Sequence, residues 1–243
     1  MAKTIFKTTV KVEKPYGSNS QWTECTKDKI VKFEDAIQKR TKASVVEFLG
    51  SGSRGIAFAL SNGNVLKLTD DKTEASASAV LKGKKLKNII EIYDVFQLGK
   101  LPIYGVVQEK VKPLSDKFEQ LCNEIFAFWC STDSRENAIK SNSVDKTLDS
   151  FRTALSYVNL KLSKLAGGTV LAKQLLNGLL ELAANNIAFI DVVYRNVGKT
   201  SDGVVKIFDI GYSKGPKASI PAIKEAKQFT GFKLWVERII TNG

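Results

Sequence analysis

Gly50-Ser-Gly-Ser-Arg-Gly55, followed by Ile56-Ala-Phe-Ala-Leu-Ser61, the pair Asn62-Gly63 and Asn64-Val-Leu-Lys67-Leu68, decides the fold. By itself a Gly-x-Gly-x-x-Gly run is a weak signal. In a dinucleotide-binding fold it ends a strand and opens a helix. Here two β-rich runs follow it with Asn-Gly between them, which is the strongest short hairpin signal. Ser44-Val-Val-Glu-Phe-Leu-Gly50 also reads as a strand. The glycines therefore join two antiparallel strands. In that place they let the backbone approach phosphate oxygens, with N–H groups turned towards them. Read alone, the same run is equally an ordinary flexible hairpin.

Upstream, residues 15–28 read as a loop, and Ile30, Phe33 and Ile37 fall on one face of a helix over 29–40. Downstream, 71–86 has a helical pattern. A strand pair, Ile89–Leu98 and Ile103–Val111, is joined through Gly99 and Pro102. Residues 113–165 read as mainly helical, with polar breaks near 131–137 and 141–145. Leucines at 171, 175, 176, 179, 180 and 182 mark a further helix. Two short strands are expected near Ile187–Ile190 and Val204–Phe208, around the turn Ser201-Asp202-Gly203, and two short helices over the last thirty residues. A β-rich first half and a helix-rich second half make this an α+β chain. Pro113, after a strand, puts a lobe boundary near 111–114.

Composition narrows the chemistry. The 243 residues suffice for one large domain or two packed lobes. Histidine is absent, which excludes a Ser-His-Asp triad and most catalytic zinc sites. Cys25, Cys122 and Cys130 form no Cys-x-x-Cys pair and are odd in number, so free thiols are expected. No apolar stretch is long enough to span a bilayer, and the polar, basic first residues lack the apolar core of a signal peptide. A cytoplasmic protein is expected. The net charge of +12 favours acidic proteins, nucleic acid or phosphorylated ligands. The lysines are spread along the chain, so they serve equally as a solvated surface.

Chemistry must then rest on carboxylates, lysine, hydroxyls and an oxygen-bound cation. Lys67, flanked by apolar strand residues one hairpin after the glycines, is placed for the α- and β-phosphates of a nucleotide; equally, it is an edge lysine reaching solvent. Glu74 is the only carboxylate between Asp71 and Glu91, so it is the candidate partner for Lys67. Asp71-Lys-Thr-Glu74 also reads as a helix-capping box. In the second half, Phe189-Ile-Asp191-Val-Val-Tyr-Arg-Asn196 is followed, thirteen residues beyond Asn196, by Asp209 in Phe208-Asp209-Ile210-Gly211. Asp191 supplies a carboxylate for an incoming hydroxyl. Asn196 and Asp209 supply hard oxygen ligands for magnesium. Each of the three is alone a common turn or capping residue. Their order with Gly50–Gly55, Lys67 and Glu74 carries the reading.

In that order the chain resembles a divergent eukaryotic-type protein kinase, and its size resembles the small Ser/Thr kinases of phages and bacteria. The likeness runs from about residue 45 to 213. It implies a bilobal fold: a β-rich N-lobe over 1–111, with an N-terminal extension and helix over 1–43, and a shortened helical C-lobe over 112–243. It implies ATP and Mg2+ as cofactors. Gly50, Ser51, Gly52, Ser53, Arg54 and Gly55 would form the glycine-rich loop, with Lys67 and Glu74 as the strand lysine and its helix partner. Gln108 would be the gatekeeper, with adenine on the backbone of Glu109 and Val111. Asp191, Lys67 and Asn196 would be catalytic, and Asn196 and Asp209 metal ligands. The chain departs from the family at Phe189-Ile190, where His-Arg is usual, and at Val193, where lysine is usual. No Ala-Pro-Glu follows Gly211. Without the arginine, an activation-loop phosphate has no partner.

Three functions follow. One is a Ser/Thr protein kinase with a protein substrate, acidic or of a host cell, working in the host cytoplasm if the gene is a phage's. Another is a small-molecule kinase, though such enzymes bind cationic substrates on acidic surfaces, against a charge of +12. The third is a nucleotide-binding pseudokinase or decoy that binds a host protein. Nucleic acid stays open as a partner.

Overall fold

A computed structural model describes residues 35–51, 54–99, 102–131, 143–163, 167–189, 194–211 and 218–223, with the isolated positions 137 and 140. The expected loop over 15–28 and the first part of the helix over 29–40 lie outside them; of the last thirty residues, where two short helices are expected, only 218–223 are described, and they hold a short strand, Ala222–Ile223, and no helix.

The architecture is mixed α+β. Helix α1 (35–41) precedes strands β1 (Val45–Ser51), β2 (Gly55–Leu60) and β3 (Val65–Thr69). Helix α2 (Lys72–Leu81) follows, then β4 (Ile92–Leu98) and β5 (Tyr104–Gln108). These five strands form an antiparallel sheet in the order β1-β2-β3-β5-β4, and β9 (Ala222–Ile223) adds to β4 in parallel. The first hairpin turns at Asn62-Gly63: Gly63 has φ +85°, and the Asn62 side chain accepts from the Asn64 amide at 3.2 Å. The register of β1 on β2 slips between Phe48 and Gly50. Such a bulge adds twist where the strand meets the glycines. Phe58, Leu66, Leu68, Phe96 and Leu98 are buried together with Ala36 and Ile37 of α1. Arg40 ties α1 to β4 by two bonds to Asp94, of 2.6 and 2.9 Å.

Helix α2 is shorter than the pattern over 71–86 suggests. Gly83 takes φ +74°, its amide donates to the Ile92 carbonyl (2.9 Å), and the Lys84 amide folds back to the Leu81 carbonyl (3.0 Å). A left-handed glycine after the last turn is a common helix stop. The loop that follows is anchored by Glu181, which accepts from the amides of Lys87 and Asn88 at 2.8 and 2.9 Å.

The second half holds α3 (Asp116–Cys130), α4 (Val144–Ser163) and α5 (Gly168–Ala183). Their shared core includes Trp129, edge-on to Phe151 at 5.1 Å, with its indole N–H on Ser150 at 2.8 Å. A small sheet joins β6 (Lys112–Pro113), β7 (Val197–Lys199) and β8 (Val205–Ile207). Of the strand expected near 187–190, Ile187, Ala188 and Phe189 are all buried and belong to no named strand, Ala188 forms a β-bridge, and Ile190 lies outside the described residues. The partner of β8 is β7, beyond Asn196. No helix of the described residues is long and apolar enough to cross a membrane.

Candidate active site around Lys67

Lys67 is the half-buried member of β3, between the buried pairs Val65-Leu66 and Leu68-Thr69. It stands opposite Ala57 on β2 and Val106 on β5. A Cβ built on Gly55 would lie 2.9 Å from its Cε and 3.1 Å from the Leu68 carbonyl. The lysine stem therefore runs over bare glycine backbone at the mouth of β2.

Glu74 reaches Lys67 because its capping duty is taken by another residue. Asp71 caps α2, accepting from the Thr73 amide (2.8 Å) and hydroxyl (2.7 Å). In a full capping box the third helical residue would return a bond to the Asp71 amide. That amide instead donates to the Thr69 hydroxyl at 3.0 Å. Glu74 is left to turn inward, and its Oε1 lies 2.6 Å from Lys67 Nζ. Asp209, just past β8, brings its Oδ1 to 2.5 Å of the same nitrogen. Its φ of +53° is left-handed backbone, which aspartate tolerates better than most residues. Lys67 thus joins the helix α2 to the turn after β8.

The exposures of the three side chains differ: 12% for Lys67, 4% for Glu74 and 40% for Asp209. Burial alone would lower the Lys67 pKa, but the charges of Glu74 and Asp209 outweigh it and hold the ammonium above its ordinary value. Burial pushes the Glu74 carboxyl up; Lys67 opposes this and Asp209 adds to it. The lysine is therefore firmly cationic, and its charge is the largest influence holding the glutamate's carboxyl down.

Arg54 turns its guanidinium to the start of α2. It meets Asp70 at 2.9 Å and buried Asp71 at 3.5 Å, while its carbonyl accepts from the Thr69 hydroxyl (3.0 Å) and the Asp70 amide (3.1 Å). Gly50 and Ser51 end β1; Gly52, Ser53 and Asp191 lie outside the described residues. Asn196 is buried at the end of the turn Tyr194–Asn196, and its carbonyl accepts from the Phe208 amide at 2.8 Å, one residue before Asp209. Gln108 is buried at the end of β5, opposite Val65 and Ile92. The Glu109 amide is committed to the Glu91 carbonyl (2.9 Å). Val111 packs on Gly198, where a Cβ would meet its Cγ2 at 2.6 Å.

Magnesium takes hard oxygen donors. Asp209 and Asn196 offer hard oxygens, yet among the described residues no three or more His, Cys, Asp or Glu gather to hold a metal. Magnesium needs no all-protein cage, since it is usually held by one or two carboxylates, phosphates and water. Gly211 borders this corner: a Cβ there would stand in ordinary contact, 3.4 Å from Asp71 Oδ2 and 3.5 Å from Asp209 Oδ1.

Sequence reasoning missed Thr69 and Asp71 as the pair that frees Glu74, and Lys206, which meets Glu109 at 2.8 Å. Val205-Lys206-Ile207 carries the same signal as Leu66-Lys67-Leu68, a lysine flanked by buried apolar strand residues. A scan of protein-family models finds no match to this chain, and a search of curated proteins finds none either.

Proposed function

We propose that the chain is an ATP- and magnesium-dependent phosphotransferase with a bilobal, protein-kinase-like fold, acting as a Ser/Thr protein kinase. The observation that carries this reading is the junction at Lys67: a strand lysine lying over Gly55 and shared between Glu74 and Asp209. An isolated structural pair needs only one carboxylate. A lysine held between a helix carboxylate and a turn carboxylate, beside a glycine-rich connection, suits a group that must hold phosphates at a fixed point. The lobes would divide near Val111, between β5 of the large sheet and β6 of the small one.

In this mechanism Glu74 fixes the rotamer of Lys67, and Lys67 binds the α- and β-phosphates. Asp209 and Asn196 would hold magnesium, which would supply charge neutralisation at the transferring phosphate. Asp191 orients the acceptor hydroxyl and takes its proton. Adenine rests on the Glu109 carbonyl and the Val111 amide, since the Glu109 amide is already bonded. The charge of +12 favours an acidic protein as substrate.

The test compares ATP-induced thermal shift with transfer of labelled phosphate in the parent and three variants. Magnesium-ATP raises the melting temperature of the parent. Asp209→Asn loses both the shift and the transfer. Asp191→Asn keeps the shift while transfer falls by about two orders of magnitude or more. Asn196→Ala lies between. The absence of a shift at millimolar ATP refutes the nucleotide site. A parent that binds ATP but labels neither protein, small molecule nor water is a binding protein and not a kinase; label in small molecules alone redirects the substrate class.

A further inference from the structure

We propose that Lys206 is a positioning residue which, through Glu109, holds the base-binding side of the site in register with Asp209; this rests on the nucleotide reading above. Lys206 lies on β8, three residues before Asp209, and its side chain is only 12% exposed. Its Nζ stands 2.8 Å from Glu109 Oε2 and 3.4 Å from the Ile89 carbonyl. The same Glu109 oxygen accepts from the Glu91 amide at 3.2 Å, and the Glu109 amide donates to the Glu91 carbonyl at 2.9 Å. Meanwhile β8 is bonded to the loop before β4, by the Ile207 amide to the Asn88 carbonyl (2.9 Å) and the Ile90 amide to the Ile207 carbonyl (3.0 Å).

These links close a ring. Glu109 is tied to Glu91, the loop ending at Glu91 is tied to Ile207, and Lys206 beside Ile207 returns to Glu109. The ring joins the segment after β5 to the strand that delivers Asp209, and both ends would touch one nucleotide. Glu109 leaves its carbonyl as its remaining backbone contact, so the direction of that carbonyl depends on where the side chain is pinned. Lys110, next in the chain, is exposed. With exposures of 12% and 23%, the Lys206–Glu109 pair is shielded from solvent far better than an ordinary surface pair.

A purely structural pair would lower stability without distinguishing ligands. A positioning pair distinguishes the base from the phosphates. Titration calorimetry on the folded full chain, with magnesium-ATP and with magnesium-tripolyphosphate, separates them. Lys206→Met keeps the apolar stem and loses the charge. It weakens magnesium-ATP about tenfold and leaves tripolyphosphate unchanged, and Lys206→Arg restores ATP affinity. Equal binding of ATP by Lys206→Met and the parent overturns the inference, as does a parallel loss of both ligands. A parent that binds neither ligand overturns the nucleotide reading itself. If Lys206→Met does not fold, the exchange Lys206→Glu with Glu109→Lys is compared with Glu109→Lys alone. Recovery of ATP but not tripolyphosphate binding supports the inference, and recovery of neither or of both overturns it.

Discussion

Lys67→Met removes the cation between two carboxylates and keeps the apolar stem. Both carboxylate oxygens lie within 2.6 Å of one nitrogen, so they are at most about 5 Å apart. At that distance, with an effective dielectric of about 20, two unit charges repel by about 3 kcal/mol. Leaving one member of a buried pair without its partner costs about 3–5 kcal/mol. Asp209, 40% exposed, is partly relieved by water, which puts the loss at the lower end, about 3 kcal/mol at pH 8. For a chain of this size that is a fall of about 6–12 °C in Tm. The pH dependence follows from Glu74. Without Lys67, burial and Asp209 both push its carboxyl up, opposed only by a hydrogen bond from Thr69. A raised carboxyl stabilises the fold at low pH and loses that contribution as pH rises through the raised value. The deficit of Lys67→Met therefore shrinks between pH 8 and pH 5.5, and adding Glu74→Gln recovers most of it at pH 8. The parent behaves differently: its raised Lys67 keeps the pair intact throughout neutral pH and loses it only above the ordinary lysine range. Denaturant unfolding of the three proteins at both pH values measures this. A Lys67→Met protein as stable as the parent at pH 8, or with a deficit independent of pH, refutes the buried junction.

Gly55→Ala places a methyl 2.9 Å from Lys67 Cε and 3.1 Å from the Leu68 carbonyl; the lysine can shift but the strand carbonyl resists. The expected loss is about 1–3 kcal/mol in denaturant unfolding, together with weaker magnesium-ATP binding, and an unchanged protein would show that the lysine does not lie over this glycine. Native-state alkylation distinguishes the thiols, since burial, with Glu119 nearby, pushes Cys122 up to about 12, while Cys130 is exposed. Peptide mass mapping at pH 8 should find Cys130 modified and Cys122 intact until the protein is denatured; equal labelling in the native state contradicts the packing of α3.

Local rules account for the parts of the fold that were legible beforehand. The hairpin at Asn62-Gly63 was readable because a left-handed turn there needs glycine, and helix α5 because its leucines repeat at the helical period. Where reading failed, a local pattern met a non-local constraint. The helical pattern over 71–86 ignored Gly83, whose amide is claimed by Ile92.

Within the candidate site, residue types and order came from the chain alone: a lysine between glycines and a lone helix carboxylate, then Asp191, Asn196 and Asp209 in sequence. Local signals left Glu74 balanced between capping α2 and pairing with Lys67. The balance was resolved in three dimensions, because the Thr69 hydroxyl takes the Asp71 amide and so releases Glu74. The meeting of Lys67 with Asp209, and of Lys206 with Glu109, spans many residues of intervening chain. Such pairs leave no periodic or short-range trace, since ion pairing depends on distance in space and on exclusion of water. Both conditions are created only when β3, α2 and β8 pack together.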